Sequence, residues 1–574
     1  MRFVFFLLFL NAALISKSQS QQYPQNYFRN PLDVPIRLAG NFGELRNNHF
    51  HAGLDFKTEQ QTGLKVYAAA EGYVSRIKVS PYGYGTALYI RHPNGYSTTY
   101  GHLSKFSDDI AEYVKNAQYA RESFEIELFP DPSELPVYKG QIVAYSGNTG
   151  GSAGPHLHFE IRNTANEHPI NPLLFGFEIE DSREPLVYSV HIYPLNDTST
   201  VNGQNSVYRV NASGGNGSYR LSPKIYLDGE IGFGIRGVDK MDHVGNTFGY
   251  YVVALLMDGD TIFKSQIEEF AFHEGRYINS HIDYEYKWDT GRRVERSFVE
   301  EGNKLRIYKK LKNRGRIEFS DNDEHQMQYV ISDAYGNTST VDFTVEGKQE
   351  PAETPSVALI KKPGKEIYYF PWNKRNTLMK DNILIDLPAE ILYRDILFEY
   401  EVGEPMTGAL TPTYWLHDYK VPLHSYYSVS IKTEGLTPYQ KSKALIVSTV
   451  NGVSKYAEGG KWNGDNITTR TRSFGGYAVV LDEDPPVIRP VNIYNGARMQ
   501  NKWSIHVKAY DKLSGISYYR GTVDGKWILM EYDAKNSSFV YFFDEKIGAG
   551  KHTFHFLVRD KVGNTTNYTA EFYR

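Results

Sequence analysis

Three short stretches concentrate side chains able to hold a metal ion or move a proton. They are His51-Ala-Gly-Leu-Asp55, Tyr100-Gly-His102-Leu-Ser104 and Gly154-Pro-His156-Leu-His158-Phe-Glu160. A hydrolytic metal centre needs about three protein ligands, with a further position left open. The chain contains no cysteine, so such ligands must come from His, Asp or Glu. The same absence excludes disulfides, thiolate metal sites and a cysteine nucleophile. Each stretch alone says little. With 17 histidines in 574 residues, chance supplies about half an H-x-H pair, and His49-Phe-His51 is a further one. The information lies in the combination and its order.

These residues need elements to position them. His156 and His158 alternate with Leu157 and Phe159, so on a strand both histidines share one face while the apolar pair meets a core. Their Cα atoms would stand about 6.6 Å apart, which lets one bind a metal while the other stands beside a bound water. His51 and Asp55 would lie about 13 Å apart on a straight strand, so both reach one ion only if the chain bends. Gly53 makes that bend inexpensive. His102 follows Gly101 at the end of a β-patterned run and can project into a cleft. His49, His92, His168 and the scattered histidines beyond residue 180 read as hydrogen-bonded core or surface residues.

The surrounding pattern is mainly β. Aromatic residues make up 14% of the chain, with 45 Tyr and 31 Phe, types that favour strands. Val66–Ala70, Ala87–Ile90 and Gln141–Tyr145 are strand-length runs punctuated by Gly, Asn and Pro. One segment, Ser107–Glu122, predicts a helix, with acids at its start and apolar residues at Ile110, Ala111, Val114, Ala117 and Ala120.

Along the chain, Met1-Arg2 and the apolar run Phe3–Ile15, followed by Ser16–Ser20, read as a secretory signal peptide over residues 1–20. Linker signals at Glu346–Ser356, Asp482–Pro486 and, more softly, Asp181–Pro185 then divide the chain into modules at 21–180, 181–347, 348–483 and 484–574. The formal net charge of -4 gives no basic excess pointing to nucleic acid. A weak repeat, D-x-x-G-N-T, begins at Asp242, Asp333 and Asp560. It predicts a tight turn in which Gly and Asn tolerate positive φ, since each copy holds too few acids for a calcium loop by itself.

Read together, the motifs R-x-x-H-x-H-x-G-x-D, Y-x-H-L-S and K-G-Q-x5-G-x-T-G-x3-G-P-H-L-H-F-E-I-R resemble the LytM/lysostaphin-type zinc endopeptidases over residues 38–175. The last runs here from Lys139-Gly140-Gln141 through Gly147-Asn148-Thr149-Gly150 to His156–Arg162. The resemblance implies an antiparallel β peptidase domain of the duplicated hybrid motif type; beyond it, residues 181–347 read as a β-sandwich and 348–483 as β-rich. It implies that His51, Asp55 and His158 hold Zn2+, and that His102 and His156 stand beside the water that attacks. Tyr82 falls near a tyrosine that helps stabilise the transition state in some members, and Tyr84 is close by. The substrate implied is the peptide of bacterial peptidoglycan, stem or cross-link, met outside the cytoplasm by a periplasmic, envelope-associated or secreted hydrolase.

Two rival readings belong beside this one. Relatives that have lost ligands act only as activators or wall-binding scaffolds, whereas this chain keeps all five residues. A secreted protease acting on proteins would use the same centre. The chain departs from the pattern by an insertion at 105–138, which should lie near the groove and act on substrate choice. The module at 484–574 resembles bacterial immunoglobulin-like domains. Trp503, Tyr518, Tyr519 and Trp527 there would serve as strand packing or as a glycan-binding face, and wall or protein contacts through the later domains are expected.

Overall fold

A computed structural model describes residues 23–348 and 364–574. The signal peptide and most of the Glu346–Ser356 linker lie outside the described residues. The linker reading is corrected at its start, because the strand Thr338–Gly347 runs through Glu346. No helix among the described residues is long and apolar enough to cross a membrane.

The N-terminal region is built from β1 (Leu38–Gly40), β2 (Leu54–Lys57), β3 (Lys65–Tyr67), β4 (Gly72–Val79), β5 (Thr86–Arg91), β6 (Tyr96–Gly101) and β7 (Lys105–Phe106). Helix α1 (Asp108–Arg121) follows, then β8 (Ile126–Leu128), β9 (Pro136–Val137), β10 (Ile142–Tyr145), β11 (His156–Asn163) and β12 (Pro169–Ile170). The main sheet runs β1-β2-β11-β6-β5-β4-β8, with β12 on β11 and β9 on β4, and β3-β10-β7 form a second, small sheet.

β11 carries the site because its two neighbours hold the other motifs. Antiparallel pairing sets His158 opposite Asp55 of β2 on one side and opposite Gly101 of β6 on the other. Leu157, Phe159 and Ile161 alternate into a fully buried core. Phe159 meets Phe56, Tyr100 and Phe177 edge-on. Gly53 lies at a bend, and a second reason for glycine emerges there: a Cβ would stand 2.2 Å from the Phe159 carbonyl oxygen.

The core of this region does not close near residue 180. Phe42 stacks on Phe270 at 5.0 Å and Phe50 packs against the same ring at 5.4 Å, so segments from 241–307 complete it. The rest of 186–347 forms a large mixed sheet. Residues 366–481 form six- and five-stranded sheets around one core, and 487–573 form four- and five-stranded sheets around another. Both are β-sandwiches.

The insertion holds the predicted helix, with Ser107 at its N-terminus and Glu122 in the left-handed conformation at its end. One face buries Ile110, Val114 and Gln118. The other receives the last sandwich. Tyr119 donates to Asp544 at 2.5 Å and meets Trp527 edge-on at 5.1 Å, while Arg520 pairs with Glu122 at 2.6 Å. Trp527 is thus occupied by this contact and Tyr519 by Tyr532 and Phe539, whereas Trp503 and Tyr518 stay exposed.

Candidate metal centre

Three ligand atoms from distant parts of the chain converge. His51 Nε2 lies 3.0 Å from Asp55 Oδ1 and 3.0 Å from His158 Nδ1, and the last two are 2.9 Å apart. All three residues are buried. Their second atoms are fixed from behind. His51 Nδ1 donates to the Asn41 carbonyl at 2.7 Å, so the neutral ring presents its lone pair at Nε2. His158 Nε2 donates to Glu160 Oε1 at 2.8 Å, which leaves the lone pair of the neutral ring at Nδ1. Arg46 donates to the outer oxygen of Asp55 at 3.0 Å.

Three acceptors facing one point at about 3 Å repel one another unless a cation or a proton stands between them. The donor set, two imidazoles and one carboxylate with oriented partners behind them, fits zinc. Burial would raise Asp55, yet His51, His156 and His158 outweigh it and hold the carboxyl well below its ordinary range. Burial would lower His158, but Asp55 and Glu160 overcome it and raise the ring to about 9.

His156 and His102 stand beside this cluster. His156 Nε2 is 3.4 Å from Asp55 Oδ1, and its Nδ1 donates to the Gly154 carbonyl at 2.8 Å. The His102 ring centre is 4.7 Å from that of His156, and His102 Nδ1 donates to the Thr149 carbonyl at 2.8 Å. Each ring therefore offers Nε2 to the cleft in its neutral form. Burial first, then the charges of His158 and His156, push His102 down to about 3. Its φ of 59° lies in the left-handed region, a strained backbone held by the turn after β6.

The two tyrosines divide. Tyr82 is 59% exposed, and Tyr532 of the last sandwich feels its hydroxyl. Tyr84 is turned inward, stacked on His158 at 5.0 Å and donating to Glu160. Of the histidines read as structural, His92 is buried and bonded to the Glu71 carbonyl, His168 pairs with Glu269, and His49 holds the Asn47 carbonyl.

Sequence reasoning missed the residues behind the ligands. Glu160 is fully buried and shared between His158, Tyr84 and Arg162, whose Nε donates at 2.6 Å. Burial would raise this carboxyl, but Arg162 first and His158 second hold it at about 2. A signal was present, because His158, Glu160 and Arg162 sit at alternate positions of one strand and so share its face. Asn41 carried no such signal.

Comparison with known proteins fits this geometry. Residues 49–120 and 133–172 match the model of Peptidase family M23, the gap falling in the insertion. Residues 367–482 match a Zu5-like domain. The DD-carboxypeptidase/endopeptidase Mpg of Neisseria meningitidis serogroup B is 36% identical over 145 residues, covering 24% of this chain and 27% of that protein. The peptidoglycan DD-endopeptidase ShyA of Vibrio cholerae is 32% identical over 151 residues, 25% of this chain and 29% of that one. This chain thus spans less than a third of either relative. Among solved structures, the catalytic domain of the prophage-encoded M23 protein EnpA from Enterococcus faecalis is 26% identical, with a TM-score of 0.19, covering 26% of this chain and 94% of that chain. The matched segments hold all five clustered residues in the order and spacing of the motifs, and residues 49–172 of this chain carry a domain of peptidase family M23.

Proposed function

We propose that this protein is an exported zinc endopeptidase that hydrolyses peptide bonds in peptidoglycan. The observation that carries the reading is the triangle of His51 Nε2, Asp55 Oδ1 and His158 Nδ1, each pair about 3 Å apart, with His102 and His156 beside it. Export rests on the sequence of residues 1–20, and the substrate on the kinship with proteins named as endopeptidases.

His51, Asp55 and His158 would hold the ion. Zinc supplies Lewis acidity, which polarises a carbonyl and acidifies water. The chain's own groups do the rest. His102 and His156, each tethered through Nδ1 to a backbone carbonyl, turn Nε2 to the cleft, where one of them takes a proton from the attacking water and returns it to the leaving amine. The ring that has taken the proton then donates its Nε2–H to the oxyanion as charge develops. Glu160 and Arg162 keep the His158 ring in register.

The test is mass spectrometry of muropeptides released by the zinc-loaded protein, alongside elemental analysis of wild type and His158→Ala. We expect about one zinc per chain, lost in the variant, and products cut within the peptide. Zinc binding without any product would point to a silent activator. Equal cleavage of a generic protein substrate would point to a broad protease.

A further inference from the structure

Asp181, Asp239 and Asp333 bring their carboxylates within 4.8 Å of one another, where the second region meets the peptidase domain. They come from three places: the stretch entering the region, the end of the long strand Ile225–Val238, and the turn after the strand Glu324–Ser332. Asp333 opens one copy of the D-x-x-G-N-T repeat and behaves there as a turn residue. It accepts the N–H groups of Tyr335, Gly336 and Asn337 at 2.8–2.9 Å and the Asn337 amide at 2.7 Å.

Asp239 is different. It is 1% exposed, and neither of its carboxylate oxygens has a hydrogen-bond partner of good geometry, the neighbouring Lys240 N–H being its one local donor. One oxygen of Asp181 is likewise buried and unpartnered. Among the described residues no basic side chain pairs with any of the three. Lys240, next in sequence to Asp239, donates instead to the carbonyls of Gly245 and Asn246 at 3.2 Å, and Asp239 feels Arg183 only as a charge without pairing with it. A buried, unpaired carboxylate is costly, and three facing one another are more so. Orphaned oxygens that point at two further carboxylates define a place for a cation.

We propose that Asp181, Asp239 and Asp333 bind a calcium ion. The donors are all hard carboxylate oxygens from three separate segments, which suits the flexible coordination of calcium better than the strict octahedron of magnesium. No single copy of the repeat has enough acids, but the fold gathers them from 152 residues of chain (181 to 333). The ion would tie the junction. Tyr335, two residues after Asp333, contacts the Phe177 carbonyl at 3.5 Å, and the Phe177 ring packs on Phe159, between His158 and Glu160.

The last sandwich provides a control. Asp482, Asp511 and Asp560 also converge, but each accepts backbone N–H groups, from Ser514, from Leu513 and Gly515, and from Val562 and Asn564. None is orphaned, and that cluster carries no proposal.

The experiment uses the full mature chain, stripped with chelator and reloaded with zinc, then titrated with CaCl2 by calorimetry and by thermal unfolding. Wild type should bind one calcium with Kd at or below ~1 mM, the range of extracellular modules, and its Tm should rise by a few degrees at saturation. Asp239→Asn, which keeps shape and removes the charge, should weaken binding at least ~10-fold and abolish the Tm rise. Asp560→Asn should change neither. If Asp239→Asn does not fold, Asp181→Asn, at a less buried position, replaces it. No binding by wild type up to ~10 mM, or equal binding by wild type and the aspartate variants, overturns the proposal.

Discussion

Asn41 and Gly249 exchange two hydrogen bonds across the junction of the first two regions: the Asn41 amide donates to the Gly249 carbonyl at 2.9 Å and accepts its N–H at 3.0 Å. The backbone carbonyl of the same asparagine takes the Nδ1 proton of His51. The second region therefore fixes the residue that fixes a ligand. Partners behind metal ligands are typically worth 10–100-fold in affinity. Asn41→Ala should weaken zinc binding by about that factor while the protein stays folded. Competition against a chelator of known affinity measures this, and an unchanged zinc Kd would make Asn41 a packing residue only.

The second prediction separates a group beside the metal from a ligand. His102 sits at φ 59°, a conformation asparagine tolerates better than alanine. His102→Asn should keep zinc and fold yet lose ~10²–10⁴ of turnover, the usual worth of a positioned acid–base or oxyanion group. Zinc content, melting and kcat on one preparation decide it. Turnover within a few-fold of wild type would leave His102 a structural role.

A third prediction concerns stability against pH. His92 is 3% exposed, its Nδ1 donates to the Glu71 carbonyl at 2.7 Å and its Nε2 lies 2.8 Å from Thr98 Oγ1. Burial, the dominant cause, lowers the ring to about 4. A folded value below the unfolded one means that protons favour the unfolded chain. The contribution is whole above about pH 6.5 and drains as pH falls towards 4, at up to about 1.4 kcal/mol per pH unit. Melting curves at several pH values should fall less steeply for His92→Gln than for wild type across this window. Parallel curves would remove His92 as the cause.

Much of the site was legible because its residues recur at strand and turn spacings that constrain where they point. His156 and His158 share a face by alternation alone, and the helix of the insertion announces itself by period and acidic start. Glu160 and Arg162 obey the same alternation. What sequence did not say is that their face is buried, with Arg162 capped by Phe272 from the second region at 4.6 Å. Contacts such as Asn41 with Gly249, 208 residues apart, leave no local trace. The boundary near 181–185 was read from composition, which registers solvent exposure of a linker but not that Phe42 and Phe50 borrow Phe270 for their core.

The last prediction follows the insertion to the catalytic loop. The sequence suggests an element that selects substrate, and in the structure α1 is also the seat of the last sandwich, through Tyr119 with Asp544 and Trp527. That seating brings Lys535 onto the loop between β10 and β11, where its ammonium donates to the carbonyls of Asn148 and Ser152. The same loop supplies the Thr149 carbonyl that orients His102 and the Gly154 carbonyl that orients His156. The last sandwich thus braces the loop that aims both histidines, about 380 residues away in sequence. A charge-assisted hydrogen bond at a partly exposed site is worth about 1–2 kcal/mol. Lys535→Ala should therefore lower kcat on a small soluble peptide by roughly 5–30-fold, with zinc affinity unchanged, since no ligand belongs to the loop. Tyr119→Ala should act in the same direction by loosening the seat. The double variant should fall short of the product of the two, because both break one connection. Wild-type kcat in Lys535→Ala would confine the last sandwich to packing, and a multiplicative double variant would show that Tyr119 and Lys535 act apart.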